Sequence, residues 1–248
     1  MAEKLGIAYN LWDNIEMLPL SVAPIRKTAD YICVIYQNES NWGNKIDNDK
    51  TLELYKRLGL IDDYFLYEPD KSLEPKQNET IKRNIGIKKC QTEYFQSMDV
   101  DEIYNEEEYK RAFQEFVEKG YDSSICHLLT YYGDSRHIID PPEDYFVSLF
   151  FKNDGRRFKS GDTFGVKTDP SRMLSPGNIR EFKREEIQMH HLSYVRKDIR
   201  QKLENMSASV NWRDKIDKFV EHYENWNGGD SFTPGGYNKL KEVKCILS

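Results

Sequence analysis

Features that attract nucleic acid are scarce in this sequence. Its 36 lysines and arginines are outnumbered by 42 aspartates and glutamates, which gives a formal net charge of −6 and a pI near 5.5. A protein with this charge has no overall field that attracts a phosphate backbone, and no long basic run supplies one locally. We therefore expect no nucleic-acid partner.

Long apolar runs, clustered cysteines and a secretory signal are also missing. The apolar runs are only as long as strands, so no segment is expected to span a membrane. Residues 1–9 lack the basic stretch, apolar core and cleavage site of a signal peptide. The four cysteines are widely separated, without metal-knuckle spacing, and indicate buried thiols in a reducing compartment: Cys33, Cys90, Cys126 and Cys245. These features predict a cytoplasmic location.

The sequence does contain an alternation of β-branched apolar runs with helical patterns, which is typical of βαβ units and a largely parallel sheet. The predicted strands cover residues 5–9, 31–36, 64–67, 93–98 and 124–130. Apolar residues at helical spacing favour helices over residues 49–58, 75–89 and 106–119. After residue 130, prolines break the chain into an irregular, loop-rich half. We predict an α/β fold with a mixed, mainly parallel sheet flanked by helices.

Three carboxylates, Asp99, Asp101 and Glu102, follow the strand predicted over residues 93–98. Because side chains alternate across a strand, Asp99 and Asp101 would point to the same side. Two carboxylates that face one ligand favour a divalent cation such as Mg²⁺ or Mn²⁺, which bridges protein carboxylates to substrate phosphates. An Asp-x-Asp pair also occurs as an ordinary acidic loop or helix cap, so the motif alone decides little.

The first half of the chain resembles glycosyltransferases of the GT-A fold, especially family 2-like enzymes from viruses and bacteria. The resembling features are Tyr9-Asn10-Leu11, Val34-Ile35-Tyr36-Gln37, Gln77-Asn78-Glu79, Lys82-Arg83-Asn84-Ile85-Gly86 and Asp99-Val100-Asp101-Glu102. The resemblance implies a Rossmann-like GT-A sheet and a donor site formed by Tyr9, Asn10, Tyr36, Gln37, Lys76, Arg83, Asn84, Asp99 and Arg196. Family 2 enzymes usually carry an acidic residue after the second strand to hold the base, whereas this chain has Gln37.

The activity implied by this resemblance is metal-dependent transfer of a sugar from a nucleotide diphosphate donor, with a UDP-sugar favoured. The acceptor would be a glycan, glycoprotein or glycolipid, in the host cytoplasm if the source is viral. Basic side chains, with Lys76, Arg83 and Arg196 as candidates, would stabilise the negative charge that builds on the leaving diphosphate.

A histidine late in the chain completes the metal site in several GT-A families, and this sequence offers His190 and His191. Alternation along a strand allows only one of them to face the aspartates, and we prefer His190. The resemblance thus implies a metal site of Asp99, Asp101 and His190. Imidazole beside two carboxylates favours Mn²⁺ over Mg²⁺.

An acceptor hydroxyl also needs a general base, for which the acidic Asp140-Pro141-Pro142-Glu143 stretch supplies Asp140 and Glu143 as candidates. A plain turn is an equal interpretation of that stretch. Trp42 is the candidate wall for the donor, because aromatic faces suit both bases and sugars, whereas Trp212 and Trp226 are expected to pack a helix.

The domain organisation that we predict is one transferase domain over residues 1–248. Residues 1–130 would form the nucleotide-sugar-binding half, residues 131–226 the half that completes the metal and acceptor sites, and residues 227–248 a C-terminal tail. Two other hypotheses remain open: a metal-dependent nucleotidyltransferase, and a sugar-binding or nucleotide-sugar-binding module without catalysis.

Overall fold

The fold was analysed in a computed structural model that describes residues 4–159, 164–209, 213–233 and 235–247. The strands of its sheet are, in chain order, β1 (Leu5–Leu11), β2 (Tyr31–Tyr36), β3 (Asp63–Leu66), β4 (Tyr94–Asp99), β5 (Glu102–Ile103), β6 (Ser123–Tyr132), β7 (His137–Asp140), β8 (Phe146–Lys152), β9 (Ile179–Phe182), β10 (Gln188–Tyr194), β11 (Ser231–Thr233) and β12 (Gly236–Glu242). All five strands predicted from the first half of the sequence are confirmed.

The helices include each of the three that the apolar spacing predicted. They are α1 (Leu18–Val22), α2 (Asp49–Arg57), α3 (Pro75–Lys89), α4 (Glu106–Glu118), α5 (Ile199–Asn205) and α6 (Ile216–Glu224). α4 begins where the side chain of Asn105 accepts hydrogen bonds from the backbone N–H groups of Glu107 and Glu108. None of the helices in the described part of the chain is both long and apolar enough to cross a membrane.

The sheet is mixed, with a parallel part at one side. The strand order is β11-β12-β7-β6-β8-β4-β1-β2-β3, and β5, β9 and β10 join beside β6. β1 pairs in parallel with β2 and with β4, and β2 pairs in parallel with β3. The carboxyl ends of β1, β2 and β4 therefore meet at one edge, which is where α/β proteins bind ligands.

Helices α3 and α4 cover opposite faces of this parallel part. α4 packs Tyr109, Phe113 and Phe116 on the face that holds Ile7 and Tyr9. α3 lies on the other face, where a methyl group added to Gly86 would be 2.6 Å from Cβ of Ala8. This close approach fixes the position of the polar side chains that α3 carries one turn earlier.

Part of the region expected as a C-terminal tail belongs to the sheet. β11 and β12 form an antiparallel hairpin, and β12 continues the sheet by pairing with β7. Phe232 and Phe219 of α6 bury their rings together with Tyr132 of β6. Residues 231–242 are thus a structural element rather than a free end.

Candidate active site

A cavity of about 260 Å³ opens at the carboxyl ends of β1, β2 and β4, and we call it the first cavity. Five residues that the sequence placed at the donor line it, together with Asp101: Asn10, Gln37, Lys76, Asp99 and Arg196. The edge position follows from the parallel pairing of the three strands. The sequence therefore located the cavity correctly.

Asp99 and Asp101 both face the first cavity, although only Asp99 lies in a strand. β4 ends at Asp99, and the turn that follows brings Asp101 to the same side. Both oxygens of Asp99 accept hydrogen bonds from Nη2 of Arg83 at 3.0 Å, and Asp99 is also bound by Arg172. Burial alone would raise the pKa of Asp99, but the guanidinium groups of Arg172 and Arg83 lower it to about 2.

Asp101 is held by a second pair of cations from the loop-rich half. Its Oδ2 accepts from Nη2 of Arg196 at 2.6 Å and from Nζ of Lys202 at 3.2 Å. The effect of these two positive charges exceeds that of burial and keeps the pKa of Asp101 well below its usual range. Both aspartates are therefore ionised at neutral pH and lie among four cations.

The structure reverses our preference between the two histidines. Nε2 of His191 lies 3.8 Å from Oδ1 of Asp101, and His191 lines the first cavity. Nδ1 of His190 is instead 2.9 Å from the hydroxyl of Tyr131, on the side of a different cavity. The reason is register, because the antiparallel pairing of β10 with β5 places His191 opposite Glu102. Burial lowers the pKa of His191 to about 4, so its imidazole is neutral at pH 7.

Four other expected residues lie outside the cavity lining. The hydroxyl of Tyr9 bonds to Ser21 inside the core, and that of Tyr36 bonds to Asp49 of α2. Strand alternation turns these two rings away from the cavity that Asn10 and Gln37 face. Arg83 is fully buried behind Asp99, and Asn84 exchanges two hydrogen bonds with the backbone of Phe158. Arg83 and Asn84 thus support the site from below.

Lys82, Arg172 and Glu102 are site residues whose roles the sequence did not reveal. Nζ of Lys82 lies at the cavity floor and donates to the backbone oxygen of Leu11 at 3.1 Å and to Oε1 of Gln37 at 2.8 Å. Burial lowers the pKa of Lys82 to about 7. The basic pair Lys82-Arg83 was the available signal, and only the fold separates their tasks.

Arg172 joins the carboxylates of the site from a distant part of the chain. It lies in a 3₁₀ helix, Pro170–Arg172, capped by Asp169, and it contacts Asp99 and makes two hydrogen bonds to Glu102. Burial raises the pKa of Glu102 to about 7 in spite of this arginine. The Asp169-Pro170 dipeptide was interpreted only as a chain break, so this clamp was missed.

A second cavity, of about 760 Å³, adjoins the first. Both are lined by Lys76, Asp99, His191 and Ser193. Glu143 lines the second cavity and accepts a hydrogen bond from the hydroxyl of Thr130. Asp140 does not line either cavity, because it ends β7 and pairs with Lys239. Of the two base candidates, only Glu143 lies at the site.

The tryptophans divide as their positions require. Trp42 lines the second cavity rather than the first, and its Nε1 donates to the backbone oxygen of Met206 at 3.2 Å. Trp226 packs edge-on against Tyr132. Trp212 lies outside the described residues.

A mixed sheet whose parallel edge carries paired aspartates among arginines defines a GT-A-type glycosyltransferase fold. Residues 72–199, more than half of the chain, match the family model "Glycosyl transferase family 2". The chain belongs to this family. No curated protein matches the sequence.

Solved structures show the same fold at low sequence identity. TarS from S. aureus is 12% identical over 90% of this chain and 44% of that one, with a TM-score of 0.51. TarS 1-349 from S. aureus in complex with UDP-GlcNAc is 10% identical over 90% of this chain and 73% of that one, with a TM-score of 0.49. GalNAc-T7 with UDP, GalNAc and Mn²⁺ is 11% identical over 88% of this chain and 49% of that one, also with a TM-score of 0.49. The chain spans less than half the length of TarS.

Proposed function

We propose that this chain transfers a sugar from a nucleoside diphosphate donor, bound in the first cavity, to a hydroxyl group in the second. The observation that carries the proposal is the group of four cations, Arg83, Arg172, Arg196 and Lys202, around Asp99 and Asp101 at the edge of a family 2 sheet. Preorganised positive charge of this kind stabilises a leaving diphosphate without reorganisation during the reaction.

Unsatisfied polar atoms support a nucleoside as the occupant of the first cavity. Among the described residues, the buried Oδ1 atoms of Asn10 and Asn41 and Nε1 of Trp12 have no hydrogen-bond partner, and all three residues line this cavity. Buried polar atoms are costly unless a ligand or water satisfies them. Lys82 also keeps a third N–H beyond the two that it donates within the chain. We propose uridine as the nucleoside, since the small volume favours a single-ring base.

A divalent metal, with Mn²⁺ proposed over Mg²⁺, belongs to the same proposal. Among the described residues, no group of three His, Cys, Asp or Glu side chains is arranged to hold a metal. Oδ1 of Asp101 and Nε2 of the neutral His191 nevertheless form a carboxylate–imidazole pair that suits Mn²⁺. Both oxygens of Asp99 are bound by arginine, so Asp99 fits this role less well. The metal would add positive charge beside the diphosphate.

The chain's own groups account for the remaining chemistry. Arg196, Lys202 and Lys76 lie where charge develops on the diphosphate as the bond to the sugar breaks. Glu143 is the proposed general base that takes the proton of the acceptor hydroxyl, because it is the base candidate in the second cavity. Thr130 orients its carboxylate.

Donor hydrolysis tests the proposal. Purified protein is incubated with UDP-, GDP- and TDP-sugars, with and without Mn²⁺, and release of nucleoside diphosphate is followed. We expect slow, Mn²⁺-dependent release from a UDP-sugar that falls at least 100-fold in Asp101→Asn. Asp140→Asn is the matched control, since it changes the same group outside both cavities.

Two results would contradict the proposal. Nucleotide-sugar binding without release in any condition would favour a binding module. Pyrophosphate release from a nucleoside triphosphate mixed with a sugar phosphate, without transfer to an acceptor, would favour a nucleotidyltransferase.

A further inference from the structure

The second cavity is larger than the first and has walls of a different chemistry. Its volume is about 760 Å³, and apolar side chains such as Leu128 and Met189 contribute to its lining. The half-buried rings of Tyr145 and Tyr194 also line it. Polar groups lie beside these rings, among them Glu143, Thr130 and Ser193.

Aromatic faces beside hydrogen-bonding oxygens suit a sugar ring. The apolar C–H face of a pyranose packs on an aromatic ring, while its hydroxyl groups donate to carboxylates and exchange hydrogen bonds with hydroxyls. Tyr145 and Tyr194 offer the rings, and Glu143 offers a carboxylate whose one described partner is Thr130. A purely apolar acceptor would leave these polar groups without partners.

The charges of the second cavity select against an anionic acceptor. Its lining contains five carboxylates, Glu74, Asp99, Glu102, Glu143 and Asp169, against two side chains that are always cationic, Lys76 and Arg172. Lys76 is bound to Asp169 at 3.2 Å and to Glu79 at 3.1 Å. Arg172 contacts Asp99 and Glu102. His191, the other ionisable cation of the lining, is neutral because burial lowers its pKa to about 4.

No unengaged cation near this lining is hidden by the gaps in the description. Residues 1–3, 160–163, 210–212, 234 and 248 contain neither lysine nor arginine. Arg213 is described, and its guanidinium carbon lies 4.6 Å above the ring of Trp42 rather than in the lining. A phosphate or sulfate group would enter a cavity with a surplus of negative charge and no free cation to bind it.

We infer that the acceptor is an uncharged glycan, one ring of which lies against Tyr145 and Tyr194 with hydroxyls directed to Glu143. The inference rests on the proposed function, since it assigns the second cavity to the acceptor. It names the acceptor's chemical class and excludes phosphorylated or sulfated acceptors.

Ligand-observed NMR tests this assignment on the full chain loaded with UDP and Mn²⁺. The probes are methyl glycosides of glucose, galactose, mannose and N-acetylglucosamine, each paired with its 6-phosphate, and a set of Ser/Thr peptides. We expect saturation transfer to at least one neutral glycoside and at least ten-fold weaker binding of its 6-phosphate. The signal should be lost in Tyr145→Ala and retained in Tyr145→Phe, which keeps the ring. In Glu143→Gln, which removes one negative charge, the discrimination against the phosphate should shrink.

Three outcomes would overturn the inference. These are equal or tighter binding of a 6-phosphate, binding of a Ser/Thr peptide in place of every glycoside, and no binding of any neutral glycoside. Thermal unfolding of each variant verifies that it is folded. Donor hydrolysis measured on the same preparation separates the two levels, because hydrolysis without neutral-glycan binding leaves the proposed function standing and removes only this inference.

Discussion

Replacing Arg172 by methionine should destabilise the protein in a pH-dependent way. Arg172 is buried and bridges two carboxylates, those of Asp99 and Glu102. Removing one partner of a buried ion pair costs about 3–5 kcal/mol, because the other charge stays buried without compensation. Asp99 keeps Arg83 as a partner, so the main loss falls on Glu102.

The pH dependence follows from the pKa of Glu102, which burial raises from 4.5 to about 7. A carboxyl whose folded-state pKa is raised contributes stability below its unfolded pKa and loses it as pH rises through the folded pKa. Loss of Arg172 raises the pKa of Glu102 further. At pH 6 a protonated Glu102 reduces the cost of the substitution to that of lost hydrogen bonds, about 1–3 kcal/mol. At pH 8 we expect the full 3–5 kcal/mol, which is about 2 kcal/mol more.

Urea unfolding followed by tryptophan fluorescence at pH 6 and pH 8 measures this difference. The matched control is the double variant Arg172→Met with Glu102→Gln, which cannot ionise at position 102 and should lose the same free energy at both pH values. An equal destabilisation of Arg172→Met at pH 6 and pH 8 would refute the reasoning, since it would mean that Glu102 does not titrate in this window.

Three further substitutions test separate parts of the account. Lys82→Met should weaken UDP binding by calorimetry about ten-fold, which equals about 1.4 kcal/mol and is the size of one lost hydrogen bond; unchanged affinity would show that the amine does not contact the nucleotide. His191→Ala should raise the Mn²⁺ concentration needed for donor hydrolysis at least ten-fold, whereas His190→Ala should not, and equal effects would argue against the metal pair. Gly86→Ala should cost about 1–3 kcal/mol by urea unfolding, because its Cβ would lie 2.6 Å from that of Ala8, and Ala8→Gly in the same chain should restore stability if that clash is the cause.

Local patterns in the sequence were sufficient for the parallel half of the fold. Strand alternation and the capping residue Asn105 act over a few residues, so β1 to β4 and α4 could be located without tertiary information. The same locality placed Asn10, Gln37 and Asp99 at a shared edge, because parallel strands end together.

Features set by long-range contacts could not be obtained in this way. The choice between His190 and His191 depends on how β10 pairs with β5, nearly 90 residues earlier in the chain. Arg172 reaches Glu102 across 70 residues, and nothing in its local sequence marks it as a partner. The orientation of Tyr9 depends on which face of the sheet α1 and α4 cover.

A structure of the protein crystallised with UDP and Mn²⁺ tests the central claim most directly. The account expects the uracil among Asn10, Asn41 and Lys82 and the diphosphate beside Asp101 and Arg196. A nucleotide bound elsewhere, or a first cavity that stays empty at saturating UDP, would contradict the assignment of this edge of the sheet as the donor site.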